Sequence, residues 1–141
     1  MIKNIILTIF FFSLFLSNIL FAKDNYFFEG EKLFNKKKFS QSKFKFEKDI
    51  VFNPKNDKSY LYLAKIFNEE KNDKMEEQNL KTTILLNPES EEAIYLLALL
   101  KIKKSDYSES EKLINNFNKI CQNLCEKKVE LIKKFSDIKP K

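Results

Sequence analysis

The sequence predicts an all-α protein built from repeated helical hairpins, and three observations lead to this fold class. The 141 residues contain one glycine, Gly30, and are rich in Lys, Glu, Leu and Phe, a composition that favours helices over sheets. The dipeptide Asn-Pro occurs at Asn53 and Asn87, 34 residues apart, each time after an apolar stretch. Small and apolar residues also recur with the i, i+3, i+4, i+7 spacing of one helical face.

Residues 1–22 are expected to be a targeting segment outside the folded domain. A basic start at Lys3 is followed by an apolar run, Ile5–Phe21, and by the small residue Ala22, which is the order of parts in a secretory signal peptide. The alternative is an uncleaved membrane anchor, because about 20 apolar residues span a bilayer. We therefore expect an exported protein, periplasmic or else held on the inner membrane by residues 5–22.

A shift of the sequence by 34 residues superposes many more positions than the two Asn-Pro pairs. This period, with large, then small, then large residues, resembles the tetratricopeptide repeat, a helix-turn-helix unit. The resemblance covers three repeats, roughly 23–56, 57–90 and 91–122. The superposed sets are Tyr26, Tyr60 and Ile94; Gly30, Ala64 and Ala98; and Phe46, Leu80 and Ile114.

The resemblance implies three tandem hairpins that form a short right-handed α-solenoid over residues 23–136. A terminal helix with a polar outer face usually covers the last repeat of such arrays, and we assign this role to residues 123–136. Within that segment, residues 127–135 are expected to form an amphipathic helix with Val129, Ile132 and Phe135 on its apolar side. A polar tail, 137–141, completes the chain.

Single residues justify the individual helices of the hairpins. Gly30 is the small contact that lets the partner helix approach the first helix of repeat one, and prolines end the hairpins because they cannot continue a helix. Four polar residues precede predicted helices and are suitable N-caps. In repeat two, Glu76 departs from the pattern, since the family usually has a small residue there. The four N-cap candidates are Asn56, Asn72, Ser90 and Asp106.

Cys121 and Cys125 are the only thiols in the sequence, and two cysteines in a small exported domain usually pair. Four residues apart on one helix they could not easily reach disulfide geometry, but they could if residues 122–124 form a turn before the cap helix. We expect a structural disulfide. A redox-active pair is the alternative, although the spacing is one residue longer than Cys-x-x-Cys.

The composition argues against an enzyme and against a cofactor. The chain has no His, so the commonest general base and metal ligand is missing, and one glycine is too few for a phosphate-binding loop. The net charge is +6, but every cation is Lys and acids are interspersed with them. We expect no nucleic-acid partner, because sequence-specific readers rely on Arg. A membrane contact is expected only if the N-terminal segment remains uncleaved.

Resemblance to tetratricopeptide proteins implies a concave groove lined by the first helix of each repeat. One position round from the packing face, each first helix carries an i, i+4, i+7 stripe of largely apolar or aromatic residues, which is typical of a protein or peptide site. The alternative is that some of them pack against the cap helix or a second copy of the chain. The stripe comprises Phe27, Glu31 and Phe34, then Leu61, Lys65 and Asn68, then Tyr95, Leu99 and Ile102.

The sequence therefore predicts a non-enzymatic interaction scaffold of the cell envelope whose groove binds a protein or peptide. Two hypotheses compete with it. One is a thiol-redox accessory protein that uses Cys121 and Cys125, and the other is a small subunit of a membrane-tethered complex. Self-association is a further option for the apolar stripe.

Overall fold

The computed structural model describes residues 26–138, and within this range the chain forms seven α-helices and no strand. The predicted all-α class is confirmed. The expected targeting segment, 1–22, lies outside the described residues, and so does the end of the predicted tail. No helix within 26–138 has the length and apolar character needed to cross a bilayer. The helices are α1 (Tyr26–Asn35), α2 (Phe39–Phe52), α3 (Asp57–Glu69), α4 (Asp73–Leu86), α5 (Glu91–Lys103), α6 (Tyr107–Ile120) and α7 (Lys127–Ile138).

The helices pack as consecutive antiparallel pairs. The most extensive contacts join α1 to α2, α3 to α4 and α5 to α6, while α2 contacts α3, α4 contacts α5, and α7 rests on α5 and α6. The turn inside each pair repeats with the 34-residue period, because Lys37, Lys71 and Ser105 all adopt a left-handed backbone with φ of 57°, 56° and 55°. In each turn the N–H of the residue that follows the left-handed one donates to the carbonyl oxygen five residues earlier, which is a Schellman termination.

An aromatic cluster forms the core between the first and second pairs of helices. The Phe46 ring is fully buried and stacks on Tyr62 with 4.9 Å between ring centroids. Gly30 faces this ring so closely that a Cβ on Gly30 would lie 2.8 Å from Phe46 Cε1. The predicted role of Gly30 as the small helix contact is confirmed.

A larger aliphatic cluster joins α3 through α7 and includes the fully buried Leu131 of α7. The predicted apolar side of this last helix is wrong for Val129 and Ile132 and is confirmed for Phe135. Val129 is 74% exposed and Ile132 is also exposed, whereas Leu131, Phe135 and Ile138 face the cluster with i, i+4, i+7 spacing. The helix begins at Lys127, as the amphipathic pattern predicts, and not at residue 123, where the assigned cap segment begins, because a turn closed by Cys121 and Cys125 comes first. It continues to Ile138, two residues into the predicted tail.

Two of the four proposed N-caps accept hydrogen bonds as predicted. Asn72 Oδ1 accepts from Met75 N, and Asp106 Oδ1 accepts from Glu109 N. Asn56 and Ser90 occupy the N-cap positions of α3 and α5, but their side chains form no capping hydrogen bond.

The Asn56 amide donates instead to the buried carboxylate of Asp49, which also accepts from Asn53 and Ser59. Pairing the Asn56 amide with this carboxylate avoids leaving a buried charge without hydrogen-bond donors, which would cost more than an uncapped helix end.

An ion cluster joins α4 to α5. Glu77 Oε1 lies 2.8 Å from Lys101 Nζ, while Lys104 and Lys81 each approach a Glu77 oxygen to 2.7 Å. Hydrogen bonds from these three ammonium groups, that of Lys101 first, hold the pKa of Glu77 well below its usual value. The side chain of Lys101 is only 9% exposed, so loss of Glu77 would leave a buried charge without its nearest partner at the boundary between the second and third hairpins.

Candidate partner-binding groove

The first helices of the three pairs, α1, α3 and α5, are linked by side chains that reach from one to the next. Tyr62 on α3 contacts Phe34 on α1 with 5.0 Å between ring centroids, and its hydroxyl donates to Glu31 Oε1 at 2.7 Å. Lys65 on α3 reaches Glu92 on α5 at 2.6 Å. The structure therefore places the predicted groove residues on neighbouring helices.

In repeat one the predicted residues form a wall around Tyr62. Phe27 and Phe34 both meet the Tyr62 ring edge-on and remain half-buried. Burial, and then the hydrogen bond to Glu31, raise the pKa of Tyr62 to about 12, so this hydroxyl remains a proton donor at neutral pH.

In repeat two the predicted residues differ in their surroundings. Leu61 is half-buried against the aliphatic cluster. Lys65 is paired with Glu92, and its Nζ lies 4.9 Å from the centroid of the Tyr62 ring. Asn68 is exposed, and its amide nitrogen donates to the carboxylate of Glu76 at 3.1 Å.

In repeat three the predicted residues are mostly used for packing. The Tyr95 hydroxyl donates to Glu130 of α7 at 2.9 Å, and burial together with this bond raises the pKa of Tyr95 to about 12. Leu99 is half-buried against the same aliphatic cluster, and Ile102 is only 7% exposed. For Tyr95 the structure shows the alternative arrangement, contact with the last helix.

A cleft of about 200 Å³ opens where α1, α3 and α5 meet the start of α4. Three predicted residues lie in its lining, and the sequence analysis missed three others. Of the missed residues, Leu96 lies one position beyond the predicted stripe, and Glu76 had attracted notice only as a departure from the repeat pattern. The lining consists of Phe34, Lys65, Asn68, Glu69, Glu76 and Leu96.

Glu76 is the deepest ionisable group of this cleft, since the residue is 3% exposed. Desolvation by burial raises the pKa of its carboxyl, and the hydrogen bond from Asn68 opposes this shift. The cleft thus combines two apolar walls with a buried carboxylate.

Solved structures of helical repeat domains resemble this chain. The first tetratricopeptide repeat domain of Spaghetti (RPAP3), bound to an HSP90 peptide, matches with a TM-score of 0.72 and 18% identity over 80% of this chain and 90% of that chain. The TPR2B domain of yeast Sti1, in a complex with Hsp70, matches with a TM-score of 0.73 and 14% identity over 83% and 98%. This chain has a tetratricopeptide repeat fold.

A bacterial domain of this fold is also similar. The Yersinia enterocolitica type III secretion chaperone SycD, in complex with a peptide of the translocator YopD, has a TM-score of 0.71 and 11% identity over 82% of this chain and 90% of that one. No protein-family model matches the chain, and no curated protein matches it by sequence. The predicted resemblance to tetratricopeptide repeats is confirmed at the level of the fold.

Beside the last pair of the tetratricopeptide repeat fold, Cys121 and Cys125 form a disulfide with 5.3 Å between their Cα atoms. The intervening loop points three consecutive N–H groups, those of residues 122–124, at the carboxylate of Glu91 at the start of α5, with distances from 2.8 to 3.1 Å. Desolvation opposes ionisation of Glu91, but these hydrogen bonds outweigh it and lower the pKa of the carboxyl. The loop therefore attaches the beginning of α5 to the segment that precedes α7.

No cluster of three or more His, Cys, Asp or Glu side chains within residues 26–138 is arranged to hold a metal ion. The groove residues offer aromatic and aliphatic surface, a buried carboxylate and an ion-paired lysine.

Proposed function

We propose that this chain is a non-enzymatic protein-interaction scaffold of the cell envelope. In this proposal three repeat hairpins stack as a short right-handed solenoid, α7 caps its end, and the groove along α1, α3 and α5 receives an extended segment of a partner protein. The observation that carries the proposal is the cleft between these helices, which combines apolar walls with hydrogen-bonding groups as peptide sites do.

The similar structures support a protein or peptide as the partner. Spaghetti was solved with an HSP90 peptide, Sti1 with Hsp70, and SycD with a peptide of YopD. A shared fold does not by itself transfer a function. The proposal therefore depends on the cleft of this chain, and the partner is to be identified from this chain's own surface.

The disulfide supports the envelope part of the proposal. Disulfides persist in oxidising compartments such as the periplasm and are rare in the cytosol. A bond between Cys121 and Cys125 agrees with export directed by residues 1–22. Because the bond closes a loop that is held by Glu91, a structural role fits the geometry better than a thiol-redox activity does.

The test compares two substitutions of the same type. Leu96→Lys places a long charged side chain in the cleft, and Leu85→Lys makes the same change on α4 at a residue that is 80% exposed and outside the cleft lining. The tagged wild-type chain and both variants are purified from the native envelope, and the proteins that accompany them are identified. Circular dichroism confirms that all three retain their helices.

The expected result is a partner that accompanies the wild type and the Leu85→Lys variant but is lost with Leu96→Lys. Equal recovery of the same partners by both variants would show that the cleft is not the binding site.

A further inference from the structure

Oxygen acceptors dominate the polar lining of the cleft. Glu69 and Glu76 each contribute a carboxylate. The Asn68 side-chain nitrogen directs both of its hydrogen bonds to the two Glu76 oxygens, at 3.1 Å each, and no group among residues 26–138 donates to the Asn68 side-chain oxygen Oδ1. A ligand group that satisfies this cleft must therefore be a donor.

The cation in the lining does not neutralise these acids. Lys65 Nζ lies 2.6 Å from Glu92 Oε1 and above the Tyr62 ring, so its charge is already compensated. Glu69 has no ion-pair partner in the described part of the chain. The cleft consequently carries local negative charge on a protein whose net charge is +6.

Glu76 is buried, and among the residues that the structure describes no cation lies at hydrogen-bonding distance from its carboxylate. A carboxylate in such a place is stable when a positive group replaces its lost hydration. In the described part of the chain its one hydrogen-bond donor is the neutral Asn68 amide, and burial is the largest cause of the raised pKa of Glu76. Lys103 attracts the carboxylate at longer range, but Lys103 is paired with Asp73 at 2.7 Å.

The size and walls of the cleft suit one long side chain. Its volume of about 200 Å³ lies below the roughly 300–1,000 Å³ of pockets that enclose whole small ligands. Phe34 and Leu96 supply apolar surface, along which the methylenes of a lysine or arginine can lie while the charged head reaches the acids.

We infer that the cleft selects a lysine or arginine side chain of the partner segment. The cationic head pairs with Glu76 and Glu69 and donates to the Asn68 side-chain oxygen Oδ1, and the stem packs on the two apolar walls. This inference rests on the proposed function, because it names the partner chemistry of the same groove. A segment of purely acidic residues would instead place like charges beside Glu69 and Glu76.

The experiment uses a displayed library of random decapeptides as the probe and the purified full chain as the target. We expect the selected peptides to share one Lys or Arg position. The best peptide is then compared with its Lys→Met or Arg→Met version by fluorescence anisotropy, against wild type, Glu76→Gln, Glu69→Gln and, as a control, Glu126→Gln. Glu126 is exposed in the turn before α7, so its substitution removes the same charge away from the cleft.

Glu76→Gln should weaken binding of the basic peptide by about tenfold or more, because a hydrogen bond to a charged group is worth about 1.5–3 kcal/mol. The same variant should leave binding of the Met peptide unchanged, and Glu126→Gln should affect neither peptide. Glutamine retains an oxygen for the Asn68 amide, which preserves the local packing. Should Glu76→Gln nevertheless fold poorly, the exposed Glu69→Gln variant gives the same readout.

Two results would overturn the inference. One is a selected set without a basic position, and the other is equal weakening of both peptides by Glu76→Gln, which would indicate a purely structural role. Both results are distinct from a failure of the proposed function. If the cleft is not the binding site at all, the selected peptides will bind Leu96→Lys and Leu85→Lys equally well.

Discussion

Replacing Gly30 by alanine tests the packing of the first hairpin most directly. A Cβ at this position would lie 2.8, 2.9 and 3.0 Å from three carbons of the Phe46 ring. The ring cannot easily retreat, because it is fully buried, stacked on Tyr62 and in contact with Phe27. Alanine at residue 30 must therefore move an aromatic ring that is held on its other sides.

Two opposing effects set the magnitude. Alanine is favoured over glycine in a helix by about 1 kcal/mol. Inserting a methyl group into a packed core costs about 1–3 kcal/mol, and the confined ring places Gly30→Ala in the upper half of that range. We expect the free energy of unfolding to fall by a net 1–2 kcal/mol, roughly.

The assay is urea unfolding followed by circular dichroism, arranged as a double-mutant cycle with Phe46→Leu. The double variant reproduces the pair Ala64 and Leu80, which occupies the equivalent positions of the second hairpin. In the Phe46→Leu background the alanine should be neutral or should stabilise by up to about 1 kcal/mol. The coupling energy should exceed about 1 kcal/mol.

A Gly30→Ala variant that is at least as stable as the wild type would refute this reasoning, and so would equal effects of the alanine in both backgrounds. Ala64→Gly is the matched control. It should cost roughly 1 kcal/mol in a hairpin where alanine already fits.

Three further predictions concern stability. Glu77→Gln should lower the free energy of unfolding by about 2 kcal/mol at pH 7. Because the pKa of Glu77 is lowered in the folded state, this contribution is fully present above the unfolded pKa of about 4.3 and is lost as the pH falls from there through the folded-state pKa. Urea titrations of the variant and the wild type should therefore converge in acid. Lys71→Gly should stabilise by about 0.5–1 kcal/mol because φ is 56° there, whereas Gln78→Gly, at an exposed position in the middle of α4, should destabilise by a similar amount. Thermal melts that rank the two variants in the opposite order would contradict the assigned turn. Replacing Cys121 and Cys125 by serine should lower the free energy of unfolding by about 2 kcal/mol. It should also speed hydrogen exchange of the three loop amides that donate to the carboxylate at the start of α5, and unchanged exchange would show that the loop holds its shape without the disulfide.

The sequence was sufficient for those features that depend on local periodicity. The 34-residue shift paired Gly30 with Ala64 and Phe46 with Leu80. In the structure Gly30 lies against Phe46, and Ala64 lies in one core cluster with Leu80. The N-cap at Asn72 could be predicted for the same reason, because a cap depends on the three residues that follow it.

Features that depend on how the helices stack could not be read from the sequence. The last helix offers two apolar stripes of similar helical spacing, and the one with Leu131 packs on the aliphatic cluster whereas Val129 and Ile132 are exposed. Asn56 likewise has the sequence of a cap, but a buried carboxylate from the preceding helix captures its amide. The cleft was only half predicted, since its lining comes from four helices.

The departure at Glu76 connects the repeat pattern with the groove. The equivalent residues Ser42 and Ser110 are fully buried, and their hydroxyls donate to backbone carbonyls of their own hairpins. A serine would therefore satisfy packing in the second hairpin at lower cost than a buried carboxylate, which loses hydration and receives one amide in return. The costlier residue lies in the wall of the cleft rather than on the solvated back of the array. We therefore expect a cation of the partner to offset this cost in the bound state, which is why Glu76 is the residue on which we base recognition.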